Sequence, residues 1–147
     1  MKKIIFVCHG SICRSPAAEA IFKQEAKKRG REEEFFCQSY ALSQEEIGND
    51  IYPPMKRTLI AEGIPFERHR AQQLSQTIFD SCDHLFYMDQ NNARWLEYLV
   101  HDPKGKAKPV FCFTPTIHEI EDPWYTGRYQ KVVEQLTRCI HDILDNI

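Results

Sequence analysis

A cysteine and an arginine with five residues between them, Cys8 and Arg14, lie in the stretch "VCHGSICRS" (residues 7–15). A loop of that length can curl so that successive backbone N–H groups point to one centre, which makes an anion-binding nest. A helix opening near Ser15 and Pro16 adds its positive end. Arg14 offers a planar fork to two oxygens. The pocket so assembled from His9, Gly10, Ser11, Ile12, Cys13, Arg14 and Ser15 fits a tetrahedral dianion such as phosphate. Cys8 stands at its mouth, where the same positive field favours the thiolate. The Ser15 hydroxyl is placed to donate to that sulfur. The chemistry implied is nucleophilic attack on a bound phosphoryl group.

A departing oxygen needs a proton. Asp122, in "EDPWYTG" (residues 121–127), is the candidate general acid, a role typically worth ~10²–10⁴ in rate. Its neighbour Glu121 is the substitute. Trp124 and Tyr125 follow directly and are placed to wall the pocket and stack on an aromatic ring. An ordinary Asp-Pro turn and simple packing are the structural alternatives for these residues.

The elements around these stretches alternate. "KIIFV" (3–7), "EFFCQS" (34–39), "DHLFYM" (83–88) and "KPVFCF" (108–113) read as strands. Residues 16–29, 52–63, 91–100 and 127–147 read as helices, the third opened by an asparagine cap and the last with a long apolar stripe from Tyr129 to Ile147. Alternation with short connections predicts an α/β fold: one domain over residues 1–147, a three-layer sandwich with a four-stranded parallel sheet and helices on both faces. Sites in such folds lie beyond the carboxyl ends of the strands. The cysteine loop follows strand 1, and the long loop "TPTIHEIEDPWYTGR" follows strand 4 at the same edge.

Composition sets the bounds. At 147 residues with 42% hydrophobic and 27% charged residues, the chain can form a core without staples. A net charge of −2 argues against broad nucleic-acid or membrane-surface binding. The N-terminal apolar run is too short for a signal peptide. Six cysteines without a CxxC pair, and six scattered histidines, match no metal-site pattern. They favour free thiols in the cytoplasm. No metal or cofactor is expected.

With these residues in view, the chain resembles the low-molecular-weight protein tyrosine phosphatases over essentially its whole length. "VCHGSICRSPAAEAIF" resembles the family's phosphate loop and first helix, "SYALSQEEIGNDIYPP" its second loop, in a style that is faintly bacterial, "FYMDQNN" the segment after the third strand, and "EDPWY" the acid loop. The resemblance implies metal-independent hydrolysis of phosphotyrosine in proteins or of small aryl phosphates, by a monomer or weak dimer. Cys8 would form a phosphocysteine, Arg14 and the loop amides would stabilise the transition state, and Asp122 would act as acid and then base. It also implies a second shell that links the loop to Ser39 and His69. Ser11 stands where the family usually has asparagine, at a position that tends to need a left-handed backbone, so loop strain is expected.

Three other readings stay open. A subgroup resembling protein arginine phosphatases carries threonine where Ile12 stands, and Ile12 favours the flat ring of phosphotyrosine. Thioredoxin-coupled arsenate reductases share the fold but need relay cysteines, and Cys82 precedes the third strand. A phosphate-binding module without turnover would follow if Ser11 collapses the site. Two further expectations come from position. A reversible Cys8–Cys13 disulfide would protect the nucleophile. Glu45 and Glu46 would make the rim acidic, unless they are simply solvated.

Overall fold

The computed structural model describes residues 1–147. Strands β1 (Lys2–Cys8), β2 (Phe35–Ala41), β3 (His84–Tyr87) and β4 (Ala107–Pro109) form one sheet in the order β2-β1-β3-β4. Every pairing is parallel, and the register sets Cys8 opposite Ala41. β1 is central and buried on both faces, hence its unbroken apolar run. Ile4 and Phe6 join one core cluster, and Ile5 and Val7 the other.

The larger cluster lies under α1 (Arg14–Lys28), α2 (Pro53–Ala61) and α6 (Tyr129–Asn146). The smaller lies under α3 (Gln76–Ser81) and α4 (Gln90–Leu99). The expected three layers are therefore present. α6 buries Val132, Val133, Leu136, Cys139, Ile140, Ile143 and Leu144, all on one face, and packs on α1. No helix is long and apolar enough to cross a membrane. The strand order reverses at β1, so the crevice between the ends of β1 and β3 is the switch point where such folds place their sites.

Several expectations need correction. β4 ends at Pro109, because residues 110–114 coil into turns closed by Cys112 N–H to the Pro109 carbonyl and Thr114 N–H to the Phe111 carbonyl. The cap of α4 is Asp89, whose carboxylate accepts from the Asn92 N–H at 2.8 Å, and no asparagine serves as cap. α1 starts at Arg14, two residues before the expected start at 16. α3 was not expected: at 6 residues it is too short to show a period, and its one local signal is the Ser75 cap. A short α5 (Pro123–Thr126) forms inside the loop after β4.

Removing a buried α6 side chain tests this packing. Leu136→Ala should lower unfolding free energy by about 2–5 kcal/mol in urea titrations, while Glu134→Ala on the exposed face should stay within about 0.5 kcal/mol.

Candidate active site

Residues 9–13 link β1 to α1 at the switch point. Their carbonyls face away from the crevice. The Cys8 and His9 carbonyls accept from Leu42 and Ser43, Ile12 from Tyr52, and Cys13 from Ala17. The N–H groups of His9 through Cys13 donate to no protein acceptor. α1 has no side-chain N-cap and no acid in its first turn. A run of unspent donors at an uncapped helix start is what an anion binds. Of the loop residues, His9, Gly10, Ile12 and Cys13 line a cleft of about 150 Å³ with Cys8, Arg14, Glu45, Glu46, Asp122, Trp124 and Tyr125, while Ser11 is buried beneath it.

The loop's shape depends on Ser11. It is fully buried and is the one non-glycine residue with positive φ, 56°. Such a backbone costs on the order of 1–3 kcal/mol and persists only where its surroundings hold it. His69 Nε2 lies 2.6 Å from the Ser11 carbonyl, and the Ser15 hydroxyl donates to Ser11 Oγ at 3.0 Å. Asp50 in turn accepts from the His69 N–H at 3.0 Å. Burial works against the Asp50 charge, but hydrogen bonds from Lys56, Ile51 and His69 prevail and hold its carboxyl down at about 2. His69 thus joins the Ser11 carbonyl to Asp50 behind the loop. Ser39 does not link to the loop: its Oγ is buried without any hydrogen-bond partner.

The Cys8 sulfur lies against the start of α1. It accepts from the Ser15 N–H at 3.4 Å and is 3.3 Å from Ser15 Oγ. Cys13, in the same cleft, has its thiol pushed up by burial and then by Cys8 beside it. All six cysteines are free. Cys82 belongs to the opposite core cluster from Cys8, so it is not placed to relay a disulfide.

Arg14 is 2% exposed. Its Nη1 donates to Asp89 Oδ2 at 2.6 Å and to the Ile120 carbonyl at 2.9 Å. Its Nη2 is 3.6 Å from Asp122 Oδ2. Burial opposes its charge, and Cys8, Asp89 and Asp122 overcome this and raise its pKa. Sequence reasoning missed Asp89, although "FYMDQNN" had been singled out. Its signal was an Asp at a strand end three residues before a helical N–H that needs a cap.

Asp122 caps α5, accepting from the Trp124 N–H at 3.0 Å, and so stands at the mouth facing Arg14. Trp124 packs on Tyr52 with centroids 4.7 Å apart, and Tyr125 is exposed beside it. Glu121 cannot stand in as the acid. Lys131, Thr126 and Arg128 hold it down at about 2, and its oxygens are 2.7 Å from both Lys131 and Arg128.

The fold and site define a class: doubly wound α/β proteins with a cysteine–arginine loop at the switch point. A family model described as low molecular weight phosphotyrosine protein phosphatase matches residues 3–147, and the chain belongs to that family. The low molecular weight protein-tyrosine-phosphatase YfkJ of Bacillus subtilis is 31% identical, across 100% of this chain and 96% of the relative. The low molecular weight phosphotyrosine protein phosphatase of Homo sapiens is 34% identical, across 98% of this chain and 94% of its own length. The crystal structure of YfkJ matches with a TM-score of 0.95, covering 100% of this chain and 94% of that one. A protein tyrosine phosphatase structure from Entamoeba histolytica, with Hepes in the active site, matches at 0.91 with 26% identity, covering 98% of this chain and 95% of that one.

Breaking the buried Arg14–Asp89 pair tests the geometry. Asp89→Ala should cost about 3–5 kcal/mol in urea unfolding, because it strands a buried cation and removes the α4 cap. Asp89→Asn keeps an oxygen for the cap and should cost less.

Proposed function

We propose that this chain is a protein-tyrosine phosphatase, a single catalytic domain acting through a phosphocysteine. One observation carries the reading: five consecutive loop N–H groups are free at the uncapped start of α1, with the Cys8 sulfur beside them and Arg14 behind. The dianion of a phosphate ester accepts from these donors and from the guanidinium. The Cys8 thiolate attacks phosphorus as the ester P–O bond breaks, and the Asp122 carboxyl protonates the leaving oxygen. Water then attacks the phosphocysteine and gives its proton to Asp122 as the P–S bond breaks. The Ser15 N–H donates to the sulfur at 3.4 Å, and the Ser15 hydroxyl, which accepts from the resting thiol and donates to Ser11, turns to donate to the sulfur as it leaves. The aromatic wall of Trp124 and Tyr125, with Ile12 in the lining, suits a flat phenyl ring.

The reading extends to a reducing, cytoplasmic setting, which six free cysteines support. It also extends to protection of the nucleophile. Peroxide would join Cys8 and Cys13, each thiol losing its hydrogen and two waters leaving. Both thiols line the same cleft.

Two measurements test the proposal. Phosphate release from a phosphotyrosine peptide should vanish in Cys8→Ser and fall by ~10²–10⁴ in kcat in Asp122→Ala, while Glu121→Gln should change it little. Turnover of a phosphoarginine peptide alone would overturn the substrate assignment, and phosphate binding without release of any product would overturn the catalytic one. After mild peroxide treatment, the peptide holding Cys8 and Cys13 should be lighter by about two mass units. Sulfinic or sulfonic acid on Cys8 instead would refute the bridge.

A further inference from the structure

The cleft is positive at its floor and acidic at its rim. Glu46 is pressed onto the loop backbone: a Cβ at Gly10 would come within 3.1 Å of its Cγ. Its Oε2 accepts from the Asn49 side-chain amide at 2.6 Å. Glu45 projects into solvent, and its carboxylate meets one partner, the His9 ring at 3.1 Å. No lysine or arginine pairs with either glutamate. The nearest cation in the cleft, Arg14, is buried and committed to Asp89.

The same imidazole also packs against an indole. The Trp95 ring centroid is 5.5 Å from that of His9, with the planes at 75°. Trp95 lies on α4 and is 43% exposed. One polar ring at the pocket mouth thus touches a carboxylate and an indole together. A carboxylate pair beside an indole is the chemistry that receives a lysine or arginine side chain, by ion pairing and by cation–π attraction. A peptide rises about 3.3 Å per residue when extended, so residues one or two positions from a phosphotyrosine in the cleft reach this rim.

We propose that the rim of Glu45, Glu46 and Trp95 selects phosphotyrosine in a basic sequence context, a lysine or arginine one or two positions away docking over the His9 ring against the carboxylates and the exposed indole. The proposal rests on the phosphotyrosine reading above. Acidic neighbours are repelled by the same carboxylates, and the preference weakens as salt screens the exposed charges.

The test compares kcat/KM for three phosphotyrosine peptides that differ only in flanking Lys, Ala or Glu. Wild type should prefer the Lys peptide over the Glu peptide by about tenfold at low salt, with the ratio shrinking at high salt. The Glu45→Gln/Glu46→Gln double variant should bring the ratio to about twofold or less, and Trp95→Leu should reduce it in part. Equal kcat/KM across the peptides in wild type would overturn the proposal, as would a preference that survives the double variant. p-Nitrophenyl phosphate separates the two levels of inference. Failure to cleave it refutes the phosphatase reading, and cleavage without charge preference among the peptides refutes the rim alone. Fluorescence anisotropy of the same peptides on Cys8→Ser reads the preference as binding, and equal or absent binding there also counts against the rim.

Discussion

Arg14 ties the site together. Its buried guanidinium binds Asp89 after β3, the Ile120 carbonyl in the loop after β4, and faces Asp122 two residues further on. It leads α1 directly after the loop that follows β1. One side chain therefore joins the carboxyl ends of three strands. A buried cation is tolerated only when it is paired and hydrogen-bonded on several sides. That requirement fixes where the acid loop lies relative to the cysteine loop. The position of Asp122 at the mouth follows from the need to satisfy Arg14 as much as from its own cap on α5.

The loop itself is held against its preferences. Ser11 occupies a backbone region that serine disfavours, and its neighbours compensate through Ser15, His69 and Asp50. Turning the carbonyls outward leaves the N–H groups inward, and those donors are the positive surface of the cleft. The conformational cost and the anion-binding capacity are two aspects of the same geometry. Ser39, on β2, takes no part in this compensation: its buried hydroxyl has no hydrogen-bond partner.

The parallel sheet and both faces of helices were legible because β1 carries an unbroken apolar run and α6 a strong helical period. The cysteine loop was legible because its meaning rests on local spacing, the residues between Cys8 and Arg14. What sequence missed depends on contacts distant in the chain. The partnership of Asp89 with Arg14 spans 75 positions, and nothing near Asp89 announces it. Glu121 and Asp122 look equivalent in sequence. Only the placement of Arg128 and Lys131 around Glu121 separates them. β4 was read too long because "VFCF" is apolar for a turn that buries only Val110 of its four residues. His9 and Trp95 lie far apart in the chain, so the rim they form with Glu45 emerges only in the fold.

The central claim is that the loop amides and Arg14 form one cradle for a tetrahedral dianion. Titration of the 15N-labelled protein with inorganic phosphate tests it most directly. The account predicts that the amide signals of His9 through Cys13 and the guanidinium signal of Arg14 shift together along one binding curve, while those of α3 and the exposed face of α6 stay fixed. Shifts centred elsewhere, or an unmoved loop at millimolar phosphate, would contradict it.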